Sequence, residues 1–317
     1  MGLGQPKPGA RMDRIEDLLE KTSRTFALSI PMLPEPTRRE LGIAYLLFRI
    51  ADTFEDASEW DRQQRIDALE EFMSLVREPD EQRAGELGHR WEASVPIDHP
   101  GYLELLGESA AVIREYQRLR PAARAIIREH TLRTAAGMSG FVNRSVDGVL
   151  KLDSLDDLRE YCYVVAGIVG ELSTDLFVLG RPQLASSVEF LRQRAARFGE
   201  ALQLVNILKD AASDRREGRR YLPTALKRRE IFLLARKDLI VAAHYTNALQ
   251  AANAPRGIVA FCALPTRLAV VALALVERCG PGAKISREDV SEIVEAMNLD
   301  LDAGAPAVEV PTTARST

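Results

Sequence analysis

The chain has 317 residues, of which 46% are hydrophobic and 28% charged, and its net charge is −4. This length can bury a sizeable core, and the net charge gives no reason to expect nucleic acid as the main partner. Three widely spaced cysteines without a C-x-x-C pair indicate buried thiols in a reducing compartment. Four scattered histidines provide no metal-ligand spacing, which argues against a zinc site and against a histidine-based nucleophile.

The two ends of the chain have the composition of flexible segments. We expect a flexible N-terminus over residues 1–11, whose sequence lacks the apolar core of a signal peptide. The tail 303–317 is expected to be disordered. Its sequence, read from Asp302, is DAGAPAVEVPTTARST. The longest apolar run, 268–276, is much shorter than the roughly 20 residues that span a bilayer. We therefore expect a cytoplasmic protein without a transmembrane segment. The sequence leaves a loose association with membranes undecided.

Between these ends the sequence has the period of α-helices. Segments of about 15 to 30 residues place apolar side chains three or four positions apart. Examples are IEDLLEKTSRTFALSI, RRELGIAYLLFRIADTFED and SVEFLRQRAARFGEALQLVNILKD. Alternating strand patterns are nearly absent. The pattern predicts an all-α fold, with about ten helices in a single domain over residues 12–302.

The first motif with chemical content is Asp52-Thr-Phe-Glu55-Asp56, at the end of an apolar helical segment. Four polar side chains fall within roughly 60° on one face of this helix, at about 100° per residue: Tyr45, Arg49, Asp52 and Asp56. Acidic pairs four residues apart usually lie on solvated faces, so this motif alone does not indicate a metal site.

A second polar helix face strengthens the case for metal binding. Four side chains fall within roughly 80° on it: Gln203, Asn206, Asp210 and Asp214. Two such helices could direct four carboxylates across a cavity, where they would repel one another unless cations are bound. Oxygen ligands without histidine suit Mg²⁺, which bridges carboxylates to phosphate oxygens. The two motifs together indicate a diphosphate held by several Mg²⁺ ions.

The chemistry expected of such a site is loss of diphosphate from an allylic substrate. Mg²⁺ and positive side chains would stabilise the charge on the departing diphosphate and leave an allylic carbocation. The cation needs an apolar pocket that excludes water, and a helical bundle can form one between its helices. We therefore expect a central apolar cavity.

Four separated stretches resemble the squalene/phytoene synthase family, and they cover most of the chain. They are SRTFALSI at 23–30, YLLFRIADTFED at 45–56, YCYVVAGIVGELSTDLF at 161–177 and NILKDAASDRREGRRYLP at 206–223. The resemblance implies an isoprenoid synthase-type helical bundle. It implies Mg²⁺ ligands at Asp52, Glu55, Asp56, Asn206, Asp210 and Asp214. It implies substrate-binding residues at Ser23, Arg24, Thr25, Arg49, Gln203, Asn206, Lys209, Arg219 and Tyr221.

The same resemblance assigns roles near the reacting carbons. Tyr45 and Tyr161 would lie beside them, and Tyr161 matches the tyrosine that steers proton loss during cyclopropane formation. Gly167 and Gly170 would let substrate chains approach the helix backbone, as would Ala166. Close helix packing explains each glycine equally well.

The basic segment 215–220 would form a flap over the second diphosphate, and a solvated basic loop is the alternative. Lys209 departs from the family pattern, in which an arginine usually precedes Asp210. Lysine keeps the charge but loses the bidentate geometry of a guanidinium, which weakens the case for its phosphate contact.

The C-terminal third resembles the squalene-synthase branch of the family in FCALPTRLA (261–269) and KISR (284–287). Pro265 is expected to kink its helix. Phe261 would then face the cavity and stabilise a carbocation through its ring, whereas an ordinary core position is the alternative. The resemblance implies NADPH as a cofactor, although no dinucleotide fingerprint is visible. Lys284 and Arg287 would contact its phosphates, or are plain surface charges.

We expect the protein to be a monomer. The resemblance implies the following reaction. Two farnesyl diphosphates would be joined head to head via presqualene diphosphate, which NADPH would reduce to squalene. Alternatives without hydride transfer are a dehydrosqualene or phytoene synthase and a hopanoid-pathway enzyme that makes presqualene diphosphate or hydroxysqualene. A C20 donor is open as well. A non-catalytic relative should have lost acidic ligands, yet all four aspartates are present, and a terpene cyclase would lack the Tyr161 segment.

Overall fold

The computed structural model describes residues 9–23, 26–145, 149–216, 218–224 and 226–311. Within these ranges the structure is helical and contains no β-strand, only an isolated bridge between Lys151 and Arg220. This confirms the all-α prediction. The helices are α1 (Gly9–Thr22), α2 (Phe26–Ser29), α3 (Thr37–Glu55), α4 (Arg62–Arg77), α5 (Glu81–Ala93), α6 (Pro100–Gly107), α7 (Ser109–Arg118), α8 (Pro121–Arg144), α9 (Leu155–Cys162), α10 (Ile168–Val178), α11 (Val188–Arg216), α12 (Arg228–Ala251), α13 (Arg256–Cys279) and α14 (Arg287–Asp302).

The described residues form two compact units. The first unit comprises the described part of Met1–Pro31 together with Glu35–Ser139, and the second comprises Met32–Pro34 together with the described part of Gly140–Thr317. The predicted extent of one domain, 12–302, and the predicted central cavity stay predictions. Helix α14 ends at the predicted boundary, Asp302.

In the first unit, α3 packs against α1, α4, α6 and α7. Its C-terminal turn is fixed by Phe54, which is fully buried. The ring of Phe54 lies 4.8 Å from that of Trp91, 5.8 Å from that of Trp60 and 6.3 Å from that of Phe72. A large apolar side chain buried against three rings contributes roughly 2 to 3 kcal/mol. This aromatic cluster holds the turn that carries the first acidic motif.

In the second unit, α11 packs against α10, α12 and α13, and against the π-helix Tyr163–Gly167 that joins α9 to α10. Helix α11 lies close to α10 and to the π-helix because a glycine stands at each contact, namely Gly170 in α10 and Gly199 in α11. A Cβ on Gly170 would lie 2.0 Å from the carbonyl oxygen of Ala195, and one on Gly199 would lie 2.0 Å from that of Ala166. Close helix packing, one of the two explanations offered for Gly170, is therefore confirmed.

The C-terminal segment differs from the predicted disordered tail 303–317. Ala307 and Val308 are almost fully buried. The Asn247 side chain donates to the carbonyl oxygen of Val308 at 2.8 Å and accepts from its N–H at 3.0 Å. The prediction is wrong for this stretch, because two apolar residues and two hydrogen bonds offset the entropy of ordering it. Residues 312–317 lie outside the described ranges, as do residues 1–8 of the predicted flexible N-terminus.

Two helical stretches are long and apolar enough to cross a membrane by composition alone: Leu155–Val178 and Arg256–Cys279. In their most apolar windows, 61% and 67% of the residues are buried inside the protein. Such burial is typical of core helices, so these stretches are weak evidence for a membrane span.

Candidate functional site

The last turn of α3 brings three carboxylates together. Each of Asp52, Glu55 and Asp56 offers a carboxylate oxygen, and these oxygens lie within 4.8 Å of one another. Glu55 is buried, whereas the other two are half-buried. Three negative charges this close repel one another, and their oxygen-only donors fit Mg²⁺. Within the ranges that the structure describes, it is the one close group of three acidic side chains.

Arg49 lies one turn before Asp52 and forms an ion pair with its carboxylate. Its Nε and Nη2 atoms donate to the hydroxyl oxygen of Tyr45 at 3.3 and 3.2 Å. The Tyr45 hydroxyl donates in turn to the carbonyl oxygen of Thr22 at 2.7 Å. Burial alone would lower the pKa of Arg49, but Asp52 and Tyr45 raise it above its ordinary value. The guanidinium is therefore a fixed positive charge beside the carboxylates.

Three predicted substrate contacts fall between α1 and α2. The hydroxyl oxygen of Ser23 accepts a hydrogen bond from the N–H of Phe26 at 2.9 Å. It therefore satisfies a donor at the start of α2, as helix-capping serines do. Arg24 and Thr25 lie outside the described residues.

Tyr102, in α6, also lies beside Arg49, although no motif in the sequence predicts this contact. The guanidinium carbon of Arg49 is 5.0 Å from the ring centre of Tyr102 and 5.6 Å from that of Tyr45. The His99 ring stacks on the Tyr102 ring at 3.8 Å. Burial raises the pKa of Tyr102; the positive charge of Arg49 opposes this rise, and the Asp52 carboxylate adds to it. No pattern within α3 could have indicated this contact, because α6 is remote in sequence.

The second acidic motif lies on α11, as its period predicts. The Nζ of Lys209 donates to Oδ1 of Asn206 at 3.1 Å and lies 3.3 Å from the carboxylate of Asp210. Asp210 and Asp214 are half-buried and one helical turn apart. The metal-binding roles predicted for this motif, and the substrate role of Gln203, stay predictions.

The basic segment after α11 is held by backbone hydrogen bonds within the second unit. The N–H of Arg219 donates to the carbonyl oxygen of Asp214 at 2.7 Å, and that of Arg220 donates to the carbonyl oxygen of Leu150 at 3.0 Å. The segment thus folds back towards the motif on α11. Its role as a flap stays a prediction.

Tyr161 lies in the last turn of α9 and is buried. Its ring stacks on that of Tyr221 at 4.6 Å and meets the edge of Phe141 at 5.2 Å. The π-helix Tyr163–Gly167 begins two residues later, and such π-helical turns are frequent at functional sites. The structure therefore brings two predicted site residues, Tyr161 and Tyr221, into direct contact.

The C-terminal site predictions concern two kinds of residue. Phe261 is buried and its ring lies edge-on to Phe177 at 5.8 Å, so its role towards a carbocation stays a prediction.

Lys284 and Arg287 are exposed. Between them, the Ser286 hydroxyl oxygen accepts from the N–H of its helix's third residue and caps α14. Two exposed cations suit phosphate groups, yet they do not by themselves form a built NADPH site.

Comparisons with known proteins agree with this fold. TcSQS in complex with the ligand E5700 is similar with a TM-score of 0.74 and 24% identity, covering 90% of this chain and 85% of that one. A dehydrosqualene synthase bound to a ligand has a TM-score of 0.54 and 17% identity, covering 93% and 98%. The chain thus has the all-α isoprenoid synthase fold.

Sequence comparison identifies the family. Residues 19–283 match the squalene/phytoene synthase family. The squalene synthase of Mycosarcoma maydis is 29% identical over 304 residues, which are 84% of this chain and 51% of that protein. Squalene synthase ERG9 of Candida albicans is 30% identical over 229 residues, 70% and 49% respectively. The chain belongs to the squalene/phytoene synthase family, and it spans about half the length of these curated relatives.

Proposed function

We propose that the protein joins two molecules of farnesyl diphosphate head to head and then reduces the product to squalene. In the first stage, a bond forms between the two farnesyl units, and one pyrophosphate and one proton leave to give presqualene diphosphate. In the second stage, the remaining diphosphate leaves and a hydride is taken up. The observation that carries this proposal is the group of three carboxylates beside the fixed charge of Arg49, in a chain of this family.

In this proposal the first acidic motif binds one diphosphate. Asp52, Glu55 and Asp56 hold Mg²⁺, which neutralises charge on a departing diphosphate when it is bound. Arg49 contacts the diphosphate oxygens, since a planar guanidinium can donate two parallel hydrogen bonds to them. Tyr45 keeps Arg49 in place through its hydroxyl group.

The residues of the second unit carry the other roles. Asn206, Asp210 and Asp214 hold further Mg²⁺ ions, and Lys209 and Arg219 balance diphosphate charge. Tyr161, whose side chain is buried, steers the loss of the proton in the first stage. NADPH supplies the hydride of the second stage when it is bound, and Lys284 and Arg287 contact its phosphates.

Product analysis tests the proposal. The protein is incubated with farnesyl diphosphate and Mg²⁺, with and without NADPH, and the extracted products are identified by mass spectrometry. We expect squalene only in the presence of NADPH. Dehydrosqualene, hydroxysqualene or presqualene diphosphate in both reactions would remove the reduction from the proposal. The absence of any product from farnesyl and geranylgeranyl diphosphates would overturn the proposed activity.

A further inference from the structure

The guanidinium of Arg49 is held by contacts of two different kinds. Charged and polar contacts come from its own helix, namely the ion pair with Asp52 and the hydrogen bonds to Tyr45. The contact from another helix is aromatic, because the Tyr102 ring of α6 lies 5.0 Å from the guanidinium carbon. The ring attracts a cation through its quadrupole, and it does so without using any carboxylate oxygen.

The difference between the polar and the aromatic contacts matters because Asp52 forms an ion pair with Arg49 and, in the proposed function, also binds Mg²⁺. A carboxylate that coordinates Mg²⁺ has fewer lone pairs left for an arginine. The contacts that still fix Arg49 are then those that do not compete with a metal: the Tyr45 hydroxyl and the Tyr102 ring. An arginine that is fixed in advance loses less side-chain entropy when it binds an anion.

Tyr102 is itself held in place. Its backbone N–H donates to Nδ1 of His99 at 3.3 Å, and the two rings stack at 3.8 Å between their centres. His99 is the residue that caps α6, and Pro100 follows it at the first position of the helix. The ring therefore projects from a rigid helix start rather than from a loop.

We infer that Tyr102 is a positioning residue, whose ring holds Arg49 ready to bind a diphosphate. This inference rests on the proposed function. It concerns the ring and not the hydroxyl group of Tyr102, which makes it testable with two substitutions at the same position.

The test measures binding of inorganic pyrophosphate with Mg²⁺ by calorimetry, alongside KM and kcat for farnesyl diphosphate. Tyr102→Leu removes the ring, and we expect the dissociation constant for pyrophosphate to rise about tenfold. The KM for farnesyl diphosphate should rise with it, whereas kcat should change much less. Tyr102→Phe keeps the ring and should restore binding to within about twofold of the wild type. Leu249→Ala, a buried position on α12, controls for general loss of stability.

A double-mutant cycle with Arg49→Ala identifies the mechanism. If Tyr102 acts through Arg49, adding Tyr102→Leu to Arg49→Ala should change the dissociation constant less than twofold, on the order of the additivity error. If Tyr102→Leu does not fold, His99→Asn replaces it, since asparagine can still cap α6 while the stacked ring is lost, and weaker binding is again expected.

Three results would overturn the inference. Tyr102→Phe could bind as poorly as Tyr102→Leu, which would assign the effect to the hydroxyl group. Tyr102→Leu could bind as the wild type does, or could weaken binding equally in the Arg49→Ala background. In these cases a wild type that still condenses farnesyl diphosphate leaves the proposed function standing. A wild type that neither binds pyrophosphate nor forms product overturns both.

Discussion

The N–H of Gly282 donates a hydrogen bond to the carbonyl oxygen of Lys209 at 2.7 Å. Lys209 lies between Asn206 and Asp210 in the sequence of α11 and its Nζ contacts both side chains. Gly282 lies two residues before Lys284. This contact ties the loop that carries a proposed NADPH contact to the second acidic motif. Gly282 has φ +88°, which residues with a side chain rarely adopt.

Substitution of Gly282 should show whether its contact with Lys209 affects NADPH binding or only the stability of the fold. Gly282→Ala introduces backbone strain of about 1 kcal/mol or more, although its Cβ would meet no atom within 4 Å. The matched control is Gly304→Ala, with φ +71° and equally open space. Thermal unfolding should show similar losses of stability in both variants. Steady-state kinetics should show a raised KM for NADPH only in Gly282→Ala, and equal values in the two variants would contradict the proposed link.

The carboxylates at the end of α3 should make the protein dependent on Mg²⁺. Asp52→Asn is expected to lower the rate of condensation about 100-fold, since a lost charge contact to a leaving group costs about 3 kcal/mol. Mg²⁺ should raise the Tm of the wild type, because a bound cation relieves repulsion among the carboxylates. EDTA should reverse this rise.

The control for this prediction is Asp67→Asn, an exposed carboxylate on α4. It should keep both the activity and the rise of Tm with Mg²⁺, whereas Asp52→Asn should lose most of that rise. A Tm of Asp52→Asn that responds to Mg²⁺ as strongly as the wild type does would place the metal elsewhere.

The sequence predicts those parts of the structure that depend on local periodicity. Helical spacing places Arg49 one turn from Asp52 and predicts their proximity, because residues three apart are neighbours on a helix. The same argument places Asp210 and Asp214 on one face of α11. Family resemblance adds Tyr161, whose contact with another tyrosine no helical period indicates.

The features that were missed depend on contacts between residues remote in sequence. Tyr102 reaches Arg49 only because α6 packs against α3, and neither segment alone contains a signal for this packing. The same reason explains the packed tail, where Val308 finds its partner in Asn247 of α12. Composition alone does not show whether such a segment has a packing partner elsewhere in the chain.

The close contact between α10 and α11 predicts a large effect of one methyl group. In Gly170→Ala the new Cβ would lie 2.0 Å from the carbonyl oxygen of Ala195, which is backbone and cannot rotate away. The helices must separate, so we expect the free energy of unfolding to fall by about 3 kcal/mol. Chemical denaturation measures this change.

Gly140→Ala is the matched control. Gly140 is an exposed position in α8, and its Cβ would meet no atom within 4 Å. Alanine is a better helix former than glycine, so this variant should gain up to about 1 kcal/mol. A loss of stability in both variants, or in neither, would show that close packing does not decide the effect at Gly170.

The buried hydroxyl group of Tyr116 should make the stability of the protein depend on pH in the alkaline range. Its O–H donates to the carbonyl oxygen of Arg124 at 3.1 Å, and burial raises the pKa of Tyr116 from 10.0 to about 12. Above pH 10 the unfolded chain therefore loses this proton while the folded protein keeps it. The stability that the neutral hydroxyl contributes is complete below pH 10 and is lost as the pH rises through about 12.

Tyr116→Phe removes this titration and leaves the ring in place. The difference in the free energy of unfolding between the wild type and this variant should be constant below pH 10. Towards pH 12 it should shift against the wild type by at most about 1.4 kcal/mol per pH unit. Urea denaturation at several pH values measures this difference directly. A difference that stays constant up to pH 12 would show that the hydroxyl group ionises in the folded protein as readily as in the unfolded chain.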